Sequence, residues 1–189
     1  MRLTLTLPAK LRAGDRVAVV SPSFAAPGRF PAVHELAMRR LRDEIGLEPV
    51  EYPTTRHVGA SPEARAADLT AAFGDPEIRA VLATIGGDDQ ITVLPFLNPD
   101  VFASSPKAFL GYSDNTNLLN WLWNLGVGSY HGGSTMVHLD LLRGVRPHIM
   151  VVRPTGSTPA TGTESLNRYS GFEHLYLVLR KLLHRQSAR

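Results

Sequence analysis

No cysteine occurs among the 189 residues, so disulfides, thiolate metal sites and a cysteine nucleophile are all excluded. Long apolar runs are missing as well: nothing approaches the roughly 20 residues that span a bilayer, so no membrane partner is expected. The segment Met1 to Pro8 has one basic side chain and no apolar stretch leading to a small-residue cleavage site, which predicts no signal peptide and a cytoplasmic location. Neither the dinucleotide fingerprint GxGxxG nor the phosphate-binding loop GxxxxGK[ST] is present. The histidines, His34, His57, His131, His138, His148, His174 and His184, have no ligand spacing with one another or with carboxylates, so neither a metal nor another cofactor is expected.

What is present fits a soluble globular chain, with 43% hydrophobic and 20% charged residues. The length suits one well-buried domain, or one domain and the beginning of another. Charge divides the chain unevenly: residues 1–140 carry 12 Lys/Arg against 15 Asp/Glu, whereas residues 141–189 carry 8 against 2. The late arginines are scattered among Pro, Gly, Ser and Thr instead of lining one helix face, and no nucleic-acid motif accompanies them, so no nucleic-acid partner is expected. Arg153 to Thr163 has linker composition, and Phe172 to His184 is the one helix expected after it. The division predicted is therefore a folded unit over 1–140 and a basic, linker-like tail over 141–189, read as a truncated or frameshifted end.

Within 1–140, apolar β-rich runs alternate with helical periodicity. Strands are expected at Asp15 to Val20, Leu47 to Tyr52, Ile78 to Ile85, Lys107 to Gly111 and Val127 to Tyr130. Helices are expected from Pro31 to Gly46, where Gly46 can end the helix, and from Pro62 to Phe73, where Ser61 supplies the N-cap. Gln90 to Leu97 reads as a short helix, and Asn115 to Leu125 as one with Leu118, Leu119, Leu122 and Leu125 on its apolar side. Strands separated by helices of this length pair in parallel through crossovers, which predicts a doubly wound, mostly parallel α/β sheet of the Rossmann or flavodoxin kind. Ligands in such sheets sit beyond the carboxyl ends of the strands. Ser21-Pro22-Ser23, Gly86-Gly87-Asp88 and Tyr112-Ser113-Asp114 all fall at such ends.

Each of these turns has two readings. Ser113, between a strand and a helix, is suited to expose its hydroxyl while the amide of Asp114 and the helix dipole face developing negative charge. Equally, Ser113 or Asp114 could simply cap the helix, and Asn115 stands where a lipase-type elbow has glycine. Gly86-Gly87 allows close backbone approach and an oxyanion contact, or makes a tight connection and nothing more. His131 lies just after a strand and could reach the same edge, or could bond to nearby backbone. Asp88, Asp89 and Asp114 could form an acidic rim, or be ordinary solvated carboxylates.

Taken together, Gly14 to Ser23, Thr84 to Asp89, Leu94 to Asn98 and Gly111 to Thr116 resemble the N-terminal domain of the LD-carboxypeptidase family, the serine peptidases that include the microcin C immunity proteins. The resemblance covers about residues 8–140 and keeps the order of the segments. It implies that Ser113 is the nucleophile, that the amides of Asp114 and of the Gly86-Gly87 turn form the oxyanion hole, and that no metal takes part. It implies a small peptide substrate, either a murein peptide cleaved between an L- and a D-amino acid or a peptidyl-nucleotide, and leaves a homodimer open. Family members activate the serine with a histidine oriented by a glutamate, both in a C-terminal domain. Residues 141–189 do not resemble that domain, and none of Glu164, Glu173, His174 or His184 carries over. Two function classes follow: a serine LD-carboxypeptidase, or a non-catalytic module that keeps the substrate-facing loops.

Overall fold

The computed structural model describes residues 5–139. The linker-like reading of Arg153 to Thr163 and the helix expected from Phe172 to His184 lie outside the described residues.

Five parallel strands form one sheet in the order β2-β1-β3-β4-β5, comprising β1 (Arg16–Val20), β2 (Glu48–Glu51), β3 (Ile78–Ala83), β4 (Ala108–Gly111) and β5 (Tyr130–His131). The parallel α/β sheet expected from the alternation is present, and its order is the flavodoxin type, which puts the topological switch point between β1 and β3. The pleat sorts the strand residues to opposite faces. Ala18, Val20, Val81, Ala83 and Phe109 face one apolar layer, built with α3 (Pro62–Gly74), α4 (Pro99–Ser104) and α5 (Thr116–Asn124). Val17, Val19, Ala80, Leu82, Ala108 and Leu110 face the other, against Ala37 and Met38 of α2 (Pro31–Arg40) and Leu139 beyond α6 (Thr135–His138). Every strand buried on both sides reads as a continuous apolar run, as parallel sheets require.

Local chemistry sets most boundaries. Ser61 caps α3 by accepting from the Ala64 amide, with Pro62 at the first helical position. The helix expected from Pro31 to Gly46 is α2 followed by a π-helical turn, Leu41–Ile45, which Gly46 ends in the left-handed region at φ 80°. A one-turn α1 (Ala26–Arg29) lies between β1 and α2. Gln90–Phe96 is a 3-10 segment with Pro95 inside it, which an α-helix tolerates poorly. The strand expected at Val127 to Tyr130 starts later: Val127 forms an isolated parallel bridge with Thr6, and only Tyr130 and His131 join the sheet. Among the described residues, no helix is long and apolar enough to cross a membrane.

Candidate active site

The loops after β1, β3 and β4 meet at the carboxyl edge of the sheet, as the three turns predicted. β4 ends at Gly111, and Ser113 follows two residues later with φ 58°. It is the non-glycine residue in the left-handed region among those described, a conformation costing roughly 1–2 kcal/mol for an L-residue. Held this way, the Ser113 side chain is exposed at the head of α5. Asn115, the N-cap of α5, makes no side-chain cap bond, and the Asp114 carboxylate accepts from the Ser23 hydroxyl, the Gln90 amide and the Asn117 side chain and not from an α5 amide.

Gly86 lies directly beside it. A Cβ built on Gly86 would stand 2.9 Å from Ser113 Cβ, 3.1 Å from Ser113 Oγ and 3.3 Å from the Asp114 amide nitrogen. Any side chain at 86 would therefore occupy the space between the hydroxyl and that amide. Gly87 is equally confined: a Cβ there would fall 2.0 Å from Ser23 Oγ and 2.9 Å from the Phe24 amide nitrogen. The close approach that the paired glycines permit here is to the protein's own loops, Gly86 to the Ser113 turn and Gly87 to Ser23 and Phe24. The Phe24 amide donates to Gly86 O at 3.4 Å, which pins the glycine turn to the loop after β1. Because a peptide's N–H points opposite to its C=O, the Gly87 amide is then turned away from that loop.

Asp114 is not part of an acidic rim. Its Oδ2 accepts from Ser23 Oγ at 2.5 Å and from the Gln90 amide at 2.9 Å, and its Oδ1 accepts from Asn117 Nδ2 at 3.0 Å. Asp89 is also engaged: buried Arg65 donates to its two oxygens at 2.8 Å each, and to the carbonyls of Pro22 and Ser23 at 3.2 and 3.3 Å. Behind Ser113, fully buried Asn115 donates to Ile85 O at 3.0 Å and Tyr112 O at 3.1 Å, while its own oxygen accepts from Gln90 Nε2 at 2.7 Å. Gln90 Oε1 accepts from the Leu118 amide at 3.0 Å, so this second buried amide joins the 3-10 segment to α5. The Asn115 that departs from the lipase elbow thus serves as the internal brace of the turn, and Gly111 makes room for it, since a Cβ there would meet Asn115 Cβ at 2.8 Å.

His131 pairs with Gly111 in the ladder, and its Nδ1 is buried with no hydrogen-bond partner among the described residues. His138 Nδ1 accepts from the Ser134 amide at 3.0 Å, and its ring meets Tyr112 edge-on at 5.3 Å. His34 sits at the second strand's end beside Glu51, away from the serine turn. Among the described residues, no group of three or more carboxylates and histidines could hold a metal ion.

Sequence reasoning named Ser113, Gly86, Gly87 and the Asp114 amide, which the structure brings together at one edge, and did not single out the hydrogen-bonding roles of Arg65, Gln90, Asn115, Ser23 or the Asp114 carboxylate. Arg65 did leave a signal, since it lies four residues before Leu69 on the stripe that α3 buries.

The fold is thus a flavodoxin-like α/β sheet whose carboxyl edge carries an exposed, left-handed serine after β4 with a glycine turn pressed against it. The chain belongs to the LD-carboxypeptidase family: the model of the family's N-terminal domain matches residues 17–132. A putative carboxypeptidase of Bacillus subtilis, YocD, is 31% identical over 127 residues, 65% of this chain and 39% of that protein. The murein tetrapeptide carboxypeptidase of Pseudomonas aeruginosa is 33% identical over 125 residues, 62% of this chain and 38% of its own length. Among solved structures, an MccF-like protein from Streptococcus pneumoniae in complex with AMP superposes with a TM-score of 0.63 at 32% identity, covering 69% of this chain and 40% of that one. The chain thus spans about two fifths of the length of these relatives.

Proposed function

We propose that this chain carries the nucleophile half of a serine-type LD-carboxypeptidase, with Ser113 as nucleophile and the amides of Asp114 and the Gly86-Gly87 turn as oxyanion hole. The observation that carries the reading is the contact between the two turns: Ser113 is held at φ 58° with its hydroxyl where a Gly86 Cβ would lie only 3.1 Å away. Acyl transfer requires a hydroxyl oxygen and backbone donors side by side, and the closeness of the glycine turn to Ser113 Oγ and the Asp114 amide supports that reading.

In the proposed reaction Ser113 Oγ attacks the carbonyl of the L-residue and its proton passes to a general base. The carbonyl oxygen becomes an oxyanion facing the amides, the C–N bond breaks, and the D-amino acid leaves after its nitrogen takes up a proton. Water then hydrolyses the acyl-serine. The Asp114 carboxylate accepts from Ser23, Gln90 and Asn117 and has no hydrogen bond with the Ser113 hydroxyl among the described residues, so it is not assigned as the base. The family resemblance assigns proton transfer to a histidine and glutamate of a C-terminal domain, so turnover is proposed for the nucleophile domain together with such a domain. The name of the Pseudomonas relative supports a murein tetrapeptide as substrate. The AMP in the Streptococcus MccF-like structure supports a peptidyl-nucleotide as the second substrate to try.

The test compares the 189-residue chain, the same chain joined to the C-terminal portion of a relative, and the joined Ser113→Ala protein, on an LD-linked tetrapeptide and on a peptidyl-nucleotide. The joined protein should release the terminal D-residue. Loss of Ser113 should cost about 10⁴-fold or more, the usual consequence of removing a triad member. Undiminished turnover by Ser113→Ala would overturn the assignment. Substrate binding without turnover by the joined protein would favour the non-catalytic module.

A further inference from the structure

We propose that the Asp114 carboxylate is a positioning residue, fixing the Gly86-Gly87 turn and the loop after β1 at a set distance from the Ser113 hydroxyl. The proposal rests on the reading of Ser113 as nucleophile.

The bonds around Asp114 close into a ring. Its Oδ2 holds the Ser23 hydroxyl and the Gln90 amide together. Gln90 follows Asp89, whose carboxylate takes both Arg65 nitrogens, and Arg65 returns to the Ser23 carbonyl. Three loops from three strands are thereby tied at one carboxylate, next to the residue whose hydroxyl is to react. The ring also bears on the glycines by contact, because the Ser23 hydroxyl that Asp114 holds fills the space where a Gly87 side chain would start. Moving that hydroxyl moves the surface on which Gly87 rests. A bond to a carboxylate is stronger than one between neutral groups, and here it joins the loop after β1 to the turn after β4. An acid whose only task was to cap the 3-10 segment at Gln90 would need no hydroxyl from the loop after β1.

Replacing Asp114 by asparagine keeps one oxygen that can accept from both Ser23 and Gln90, whereas alanine removes every acceptor. The chain joined to the C-terminal portion of a relative is reacted with a fluorophosphonate, in which the serine oxygen bonds to phosphorus, fluoride departs and the hydroxyl proton goes to the general base of the joined domain. Adduct on Ser113 is followed by intact mass and peptide mapping, with Ser113→Ala as the blank, and melting curves confirm that each variant is folded. The maximal inactivation rate of Asp114→Ala should fall about tenfold to a hundredfold, as for a reacting group misplaced by an ångström, with the half-saturating probe concentration within about threefold. Asp114→Asn should recover most of that rate, and Ser23→Ala should lie between. Folded Asp114→Ala labelling as fast as wild type overturns the positioning role while leaving Ser113 as nucleophile. If Asp114→Ala does not fold, an unchanged rate in Ser23→Ala overturns it instead. Wild type that acquires no adduct on Ser113 overturns the nucleophile reading, and the positioning role with it.

Discussion

Ser113 and Gly86 illustrate how a single backbone torsion and a missing methyl group can define a site. The left-handed φ of Ser113 turns its hydroxyl out of the strand direction, and the turn would relax if the crowding around it were released. Gly86→Ala would put a methyl 2.9 Å from Ser113 Cβ, closer than side-chain carbons approach, so either the serine or the glycine turn must shift. Overpacking of this kind costs about 1–3 kcal/mol, spread over a folded domain that can absorb it. The joined enzyme carrying Gly86→Ala should therefore stay folded and lose about 100-fold in kcat/KM, the scale expected when an oxyanion donor is displaced. Steady-state kinetics beside a melting curve checks it, and wild-type turnover would remove the glycine turn from the oxyanion hole. These two residues were legible in the sequence because a serine in a strand-to-helix turn and a glycine pair after a strand are local patterns. The Asp114 carboxylate was not, because its partners Ser23 and Gln90 are 91 and 24 residues away and only the fold brings them in.

The same distinction holds for whole elements. β1, β3 and β4 were legible because a strand buried on both faces has to be apolar throughout. α4 was missed, although Asn98 caps it by accepting from the Asp100 amide and Pro99 opens it. Its six residues are too few to show helical periodicity. Position β5 was misjudged by a few residues because Val127 found a partner in Thr6, a pairing no local pattern announces. α4 nevertheless contributes strongly to the core through Phe102, fully buried with its ring 4.3 Å from Phe73 and edge-on to Trp121 at 4.9 Å. Phe102 connects α3, α4 and α5 under the sheet, and those helices carry Arg65 and the base of the Ser113 turn. Phe102→Ala should cost about 3–5 kcal/mol, the range for deleting a buried ring from a packed core. Urea unfolding should show a lower midpoint, and a loss below about 1 kcal/mol would mean that the cavity collapses more completely than cores usually do.

At the scale of the whole molecule, one buried group couples stability to pH away from the serine turn. The His34 ring is fully buried, and its Nε2 stands 3.2 Å from Glu51 Oε2, although neither ring nitrogen is aligned for a hydrogen bond. Burial pushes its pKa below the ordinary 6.5; nearby Glu51 and Glu35 oppose that shift, and Arg56 adds to it. Glu51 is itself held below the usual carboxylate range, chiefly by the Arg56 guanidinium, which contacts it at 2.6 Å through two nitrogens. The two shifts act in different windows. With His34 depressed in the folded state, the unfolded chain binds the proton more readily, so stability is level above the unfolded pKa and falls as pH drops through it toward the folded value. The Glu51 contribution is complete above the unfolded carboxylate pKa and disappears only as pH falls through its lower folded value. Lowering the pH from about 7.5 to about 5.5 should thus reduce the melting temperature through His34 while the Glu51 contribution stays intact. His34→Gln, neutral at every pH, should flatten that decline. The check is a pair of melting profiles over this range, and an equally steep fall in His34→Gln would mean that the linkage belongs to other groups.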